Sequence, residues 1–358
     1  SHRPLIQPID MTLFENRIVS ADLKHICSTT DWSAFDGKSI LITGANGHIA
    51  TYLTYSFLFA IQAGKLNATV IALSRNGEKL RAVYAPFIGM SYFRGLEADV
   101  SEKIDLKERV DYIFHFAGNA SPYHISTDPV GILKANIQGT FNVAHLAKRN
   151  AGCKIIYSSS REVYGKNDSE ERLSEKSFGS LDPVLPRSCY PESKRASEAV
   201  LAAYGNQYGV GYGIARIAHC YGPGMNLSDD GRVMSDFLDK ALGGDDIVIH
   251  SDGSMLRAFC YVGDVIRGLL ILAAYNGPGN TFNLSNETEE ISILDLARLI
   301  AGKVPGIRVE VLKRDIDTGK YCADKRVPLD CSALMELGWS PEIGLKEGIA
   351  RTFESFIN

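Results

Sequence analysis

KSILITGANGHIA, residues 38–50, decides the fold. KSILIT (38–43) reads as a buried strand, TGANGHIA (43–50) as a glycine-bearing turn, and HIATYLTYSFLFAIQAG (48–64) as a helix. Gly44 and Gly47 permit a tight turn and close backbone approach, and the start of a helix offers amides with no intrahelical partner. Strand, glycine turn and helix in this order form the cradle for a dinucleotide pyrophosphate. Outside that context the same glycines make only a structural turn. Ala50 holds the third small position, where close helix–sheet packing is needed.

The pattern continues on both sides. ATVIAL (68–73) is a second strand, and DYIFHFA (111–117) and KIIYSS (154–159) are further apolar strands. The helical stretch VGILKANIQGTFNVAHLAKRN (130–150) separates the last two. This alternation predicts an α/β protein, a Rossmann-type doubly wound parallel sheet with helices on both faces. From about residue 211 shorter elements alternate with glycine-rich loops such as YGPGMNLSDDG (221–231) and YNGPGN (275–280). The expected organisation is an N-terminal extension (1–36), partly helical around 18–28, then a NAD(P)-binding domain (37–210). Residues 211–358 would form mainly a smaller C-terminal α/β substrate lobe, with some segments returning to the first domain.

Bulk properties narrow the classes. The chain has 358 residues, 45% hydrophobic and 22% charged, as in ordinary globular proteins. A net charge of -4 gives no basic surface for nucleic acid. No apolar run is long enough to span a membrane. SHRPLIQPID (1–10) lacks the basic-then-apolar pattern of a signal peptide. The cysteines (Cys27, Cys153, Cys189, Cys220, Cys260, Cys322, Cys331) are scattered without a CxxC pair, so no metal site or disulfide framework is expected. A reduced, cytoplasmic setting follows.

The end of the second strand speaks to the cofactor. A NAD site places Asp or Glu there for the adenosine ribose. Here Ser74, Arg75 and Asn76 follow instead. Arg75 is suited to a 2′-phosphate, which tips the reading towards NADP over NAD; the alternative is an exposed arginine beside NAD. Asp99, in LEADV (96–100), is a candidate for the adenine amino group or a turn residue.

CYPESKRASE (189–198) carries the chemistry. Tyr190 and Lys194 are four apart, on one face of a helix. A phenol ordinarily has a pKa of about 10, and a nearby ammonium lowers it. A phenolate held beside a dinucleotide takes a hydroxyl proton while hydride leaves the same carbon.

Together these segments resemble the extended short-chain dehydrogenase/reductase family, the nucleotide-sugar epimerases, dehydratases and decarboxylases. The resemblance spans residues 38 to about 350. It includes HFAGNASP (115–122), NIQGTFNV (136–143), YSSSREVYG (157–165), ARIAHCYGPG (215–224), RAFCYVGDV (257–265) and LGWSPEIGLKEGI (337–349). It implies bound NAD(P), reduced and reoxidised within one turnover, and a nucleotide-sugar substrate. Cofactor contacts would come from Gly44, Asn46, Gly47, His48, Ile49, Ser74, Arg75, Asn76, Asp99, Val100 and Ala117, with Tyr190 and Lys194. Asn136 would be a structural residue between sheet and helix. A homodimer is implied through the helices around 136–150 and 190–208, as in many relatives. Tyr164, Tyr221 and Tyr261 would line or underlie the site without chemistry.

PRSCYPESKRASE (186–198), GPGMNLSDDGRVMSDFLDKAL (222–242) and SDGSMLRAFCYV (251–262) look most like the UDP-glucuronate decarboxylases. Those enzymes oxidise the sugar at C4, which makes the C6 carboxylate β to a ketone. The resemblance assigns Glu162 and Ser160 to the catalytic group. It assigns Arg326, in DKRVPLD (324–330), to the carboxylate, with a local ion pair as the alternative. Arg232 and Arg257 would bind diphosphate, with a structural ion pair as the competing reading for each. The chain departs from the pattern twice. Ser160-Arg161-Glu162 replaces Thr-Ser-Glu of the decarboxylases and Thr-Asp-Glu of the 4,6-dehydratases, which argues against standard dehydration. Arg161 would meet an anionic sugar or pair with Glu162. His219 stands where relatives often place an asparagine that touches the diphosphate. The alternatives are a 4-epimerase, a 4,6-dehydratase and a non-catalytic NAD(P) sensor; sensors commonly lose the tyrosine or lysine kept here.

Overall fold

The computed structural model describes residues 12–167, 170–228, 230–312 and 326–357. Cys322, Asp229 and the first two residues of DKRVPLD lie outside them.

The core is a seven-stranded parallel sheet. Six strands are β1 (Lys38–Thr43), β2 (Ala68–Ser74), β3 (Phe93–Glu97), β4 (Tyr112–His115), β5 (Lys154–Ser160) and β6 (Gly211–Ile217). The seventh is Thr281–Leu284. Their spatial order is Thr281–Leu284, β6, β5, β4, β1, β2, β3. Ile40 is paired with Val70 on one side and Tyr112 on the other. A strand with neighbours on both edges and helices on both faces has no wet side, which is why KSILIT is an unbroken apolar run. Strand order reverses between β1 and β4. The crevice at their carboxyl ends is where a doubly wound sheet takes its ligand.

Helix α1 (Arg17–Thr29) packs on α2 (His48–Gln62), so the N-terminal segment belongs to the main core. Val19 and Leu23 are fully buried. This cover explains why α2 is buried nearly all round. Its buried Thr54 and Ser56 donate to the carbonyls of Ala50 (2.7 Å) and Tyr52 (2.8 Å) and so bury no unpaired hydroxyl. Helix α3 (Gly77–Val83) follows β2 and is capped by Asn76, whose side chain accepts from Lys79 N.

Short helices α4 (Pro122–Thr127) and α5 (Pro129–Leu133) lead through one π-helical turn (Lys134–Gln138) into α6 (Gly139–Arg149). Helix α7 (Cys189–Tyr208) packs against α5 and α6 and carries YPESK. It stops at Gly209, left-handed at φ 68°, a usual helix end. Beyond β6 the segments interleave: Thr281–Leu284 extends the main sheet, while the helix Val262–Ala274 packs on α2, β5 and β6. No described helix is long and apolar enough to cross a membrane.

Candidate active site

At the carboxyl end of β1 the chain turns through Gly44, at φ 65°. A Cβ there would lie 2.7 Å from Ala117 N, so only glycine lets the turn sit against the segment leaving β4. Gly47 starts α2, whose N-terminus has no side-chain cap. Its first amides thus border the crevice, as a pyrophosphate site needs. His48 supplies only backbone here. Its ring is turned away, with Nε2 3.0 Å from the Pro223 carbonyl. Burial and then the Arg232 charge push that imidazole down to about 3, so it is neutral at ordinary pH.

Asn46 reaches across to β2. Its Nδ2 donates to Ser74 Oγ (2.7 Å) and the Asn76 carbonyl (3.0 Å). Its Oδ1 is buried and has no protein donor, an acceptor left for a bound molecule. With the glycine turn, this polar atom fits a dinucleotide. Arg75 is largely exposed, and its Nη1 lies 3.9 Å from Asp99 Oδ2. Asp99 accepts from Ser101 N (2.8 Å) and Oγ (2.7 Å). Burial opposes its ionisation, but these hydrogen bonds and the Arg75 and Lys134 charges outweigh it and lower its pKa. Val100 packs under the turn into α6, where a Cβ on Gly139 would come within 2.8 Å of it.

Tyr190 and Lys194 lie on one face of α7, both buried. Lys194 Nζ donates to the Ser158 carbonyl (2.7 Å) and sits 4.7 Å from the Tyr157 ring centre and 5.8 Å from that of Tyr190. The expected lowering of the phenol by this ammonium is not what the isolated protein shows. Burial and the Glu162 charge raise the Tyr190 pKa above its usual range, and Ser160, Arg187 and Arg232 only partly oppose them. Burial brings the Lys194 pKa down to about 7 against the pull of Glu198. A buried neutral phenol beside an easily deprotonated amine costs less than two buried charges.

Glu162 is 2.9 Å from Arg187 Nη2. Of the two alternatives for Arg161, the pairing with Glu162 is not formed: Glu162 takes Arg187, and Arg161 donates to the Val327 carbonyl (3.0 Å). Ser160 Oγ accepts from Glu162 N (3.2 Å), fixing the start of the short turn Arg161–Tyr164. Arg187 was not singled out from the sequence. Its signal was its place three residues before Tyr190, in PRSCY. Glu198 was also missed: it holds Arg216 through both carboxylate oxygens (3.1 and 2.7 Å) and accepts from Ser159 (2.6 Å).

The substrate candidates converge on His219. His219 is exposed, yet desolvation by the groups around it and the charges of Arg161, Arg257, Arg326 and Arg232 push its pKa well down. Its φ of 43° is the only positive non-glycine value among the described residues. Asparagine and histidine are both enriched in that backbone region, so one replaces the other there with little backbone strain. Arg232 is held by Asp230, Nε to Oδ2 at 2.5 Å and Nη2 to Oδ1 at 2.9 Å. Arg257 donates to the Leu256 carbonyl (2.8 Å). Arg326 is ion-paired to both Glu287 and Glu290, a local pairing like its alternative, but its side chain is buried and not at the surface. Asn136 ties helix to helix, its Nδ2 donating to Ser193 Oγ on α7 (2.9 Å), with Oδ1 beside Gly118. Tyr164, Tyr221 and Tyr261 are buried and packed. Among the described residues no cluster of His, Cys, Asp or Glu is arranged to hold a metal ion.

A glycine turn at the switch point of a parallel sheet, facing a buried Tyr–Lys pair, defines the extended short-chain dehydrogenase/reductase class of NAD(P)-linked enzymes. Residues 40–285 match the NAD dependent epimerase/dehydratase family, and the chain belongs to it. It is 35% identical over 322 residues to UDP-glucuronic acid decarboxylase 1 of Xenopus tropicalis, covering 90% of this chain and 72% of that protein. It is 34% identical over 321 residues to UDP-glucuronic acid decarboxylase 3 of Arabidopsis thaliana, covering 88% of each. Among solved structures it resembles UDP-glucose 4-epimerase of Thermotoga maritima with UDP-glucose. The TM-score is 0.72 at 25% identity, over 89% of this chain and 98% of that one. The fold also matches UDP-glucuronic acid 4-epimerase of Bacillus cereus, in complex with UDP-glucuronic acid and NAD. There the TM-score is 0.73 at 21% identity, over 89% of this chain and 98% of that one.

Proposed function

We propose that the protein oxidises a nucleotide sugar at C4 and decarboxylates a nucleoside-diphosphate uronate such as UDP-glucuronate. The observation that carries this is that the charges of Arg161, Arg257, Arg326 and Arg232 all act on His219, and that Arg232 also acts on Tyr190. Such a concentration of cations suits a substrate with a diphosphate at one end and a carboxylate at the other.

Bound NAD(P) supplies the acceptor for the C4 hydride and returns it. Tyr190 takes the C4 hydroxyl proton, with Lys194 holding the phenol and the nicotinamide ribose in place. A cationic nicotinamide would add to the pull of Arg187 and Arg232 on Tyr190, which would make phenolate accessible on binding. The C4 ketone is β to the C6 carboxylate. The C5–C6 bond breaks with its electron pair moving into a C4–C5 enolate, CO2 leaves, and protonation at C5 completes the exchange. Glu162, oriented by Ser160 and Arg187, is the acid–base group beside that carbon. Arg232 and Arg257 take the diphosphate, with His219 as a neutral hydrogen-bond partner.

Arg75 supports acceptance of a 2′-phosphate, hence NADP, and Asp99 and Val100 frame the adenine. We place NAD(P) on residues 37–210 and most of the sugar pocket on 211–358, after an N-terminal extension (1–36). A homodimer through α6 and α7 is favoured by the exposed Phe141 and Tyr208 on those helices. The free cysteines favour a reducing, cytoplasmic setting.

The pairing of Arg326 with Glu287 and Glu290 favours one second reading, a 4-epimerase that needs no carboxylate clamp. Incubation with UDP-glucuronate and NAD or NADP, read by mass spectrometry, separates the two. Loss of CO2 is expected, and Glu162→Gln should lower that rate by about 10²–10⁴-fold. An unchanged mass with a new isomer would establish the epimerase instead.

A further inference from the structure

Asn46 lies at the boundary between the glycine turn and the end of β2. An NAD site ordinarily carries a carboxylate at that strand end for the ribose hydroxyls. Ser74 stands there, and Asn46 from the turn donates to it. The orientation of the Asn46 amide is set by the Asn76 carbonyl, which can only accept. Flipping the amide would oppose two oxygens. Oδ1 is therefore the atom left buried without a donor. Ser74 Oγ receives the Asn46 amide (2.7 Å) and Asn76 N (3.4 Å), so its own hydrogen is free to be donated. The end of β2 itself thus presents one neutral acceptor and one neutral donor, while the neighbouring carboxylates Glu97 and Asp99 lie against Arg81 and Arg75.

We infer that Asn46 takes over from the missing strand-end carboxylate as the acceptor for an adenosine ribose hydroxyl, so that this protein binds both NAD and NADP. This rests on the dinucleotide reading above and deepens it. A carboxylate accepts from ribose hydroxyls but repels a 2′-phosphate. A neutral amide accepts the 3′-hydroxyl, common to both dinucleotides, without that repulsion. The 2′ substituent, hydroxyl or phosphate, then meets the Ser74 hydroxyl. Arg75 is largely exposed, and Lys79 lines with Asn46 and Thr51 a cavity of about 300 Å³ beside the turn.

The test is titration of the purified full chain with NAD and with NADP, without sugar, followed by calorimetry. The two dissociation constants are expected within about tenfold of each other. Asn46→Asp restores the charge and should weaken NADP at least about tenfold while sparing NAD. Ser74→Asp should act in the same direction and covers the case in which the first variant fails to fold. Arg75→Ala should weaken NADP alone, and Asn46→Ala should weaken both. A preference for one dinucleotide beyond about a hundredfold, unchanged in both aspartate variants, overturns this inference and leaves the family reading intact. Binding of neither dinucleotide to the folded protein overturns the cofactor reading, and this inference with it.

Discussion

Two polar clusters of the molecule are closed to different degrees. In the first, Asp22 accepts from Tyr52 Oη (2.6 Å) and Tyr261 Oη (2.5 Å) and pairs with Arg351 Nη1 (2.6 Å). One carboxylate there ties α1, α2 and the two C-terminal helices Val262–Ala274 and Leu345–Ser355 together. In the second, around Tyr190, the groups are mismatched. A phenol is raised, an amine is depressed, a histidine is held neutral among four arginines, and Asn136 Oδ1 has no protein donor. The first cluster is closed by its own side chains and stabilises the fold. The second is incomplete, and incompleteness is what a ligand uses. A fully satisfied polar network resists change, whereas a partly satisfied one has its missing partners supplied by whatever binds.

The sharpest break in this contrast comes from one oxygen atom. Tyr190→Phe should lower turnover about 10²–10⁴-fold. Its denaturation midpoint should stay close to the parent's, because the phenol hydroxyl makes no essential tie in the fold. An active Phe variant would remove Tyr190 from the chemistry. The converse change is Asp22→Ala, which leaves two phenols and a guanidinium without their acceptor. Stability to urea should fall by about 3–5 kcal/mol, while the folded fraction keeps its turnover. A loss of turnover without a loss of stability would show that the two clusters are not separable in this way.

The smallest effect is one of pH. The folded chain holds Lys194 at about 7 and the unfolded chain near the ordinary lysine value, so the unfolded state binds more protons in between. This contribution is favourable above about pH 10.4 and is progressively lost as pH falls towards 7. Stability should therefore climb from pH 7 to 9, by at most about 1.4 kcal/mol per unit from this group. In Lys194→Met the climb should be shallower. Lys154, brought down to about 8 by burial, contributes with the same sign in both proteins and cancels from the comparison. Equal climbs from pH 7 to 9 in the parent and in Lys194→Met, read by urea titration at each pH, would mean that Lys194 is not depressed by its surroundings.

Much of the backbone was legible in the sequence. Continuous apolar runs such as KSILIT and KIIYSS marked buried parallel strands. Gly44 marked the turn because no side chain fits against Ala117. Tyr190 and Lys194 were legible as a pair because helical spacing alone puts them on one face. The segment before residue 36 was harder to read. Its helix was visible, but its role as the cover of α2 was not, since α2 shows its buried outer face only as an excess of apolar residues.

Local pattern thus determined the parallel sheet, the dinucleotide turn, the Tyr–Lys face and the family. Tertiary structure alone decided the charge balance: Glu162 with Arg187, Arg326 with Glu287 and Glu290, the upward shift of Tyr190, and the unpaired oxygen of Asn46. The reason is physical. Strand and helix patterns express contacts a few residues apart, so spacing encodes them. A pKa or an unmet hydrogen bond depends on burial and on charges within a few ångströms, brought there by distant parts of the chain.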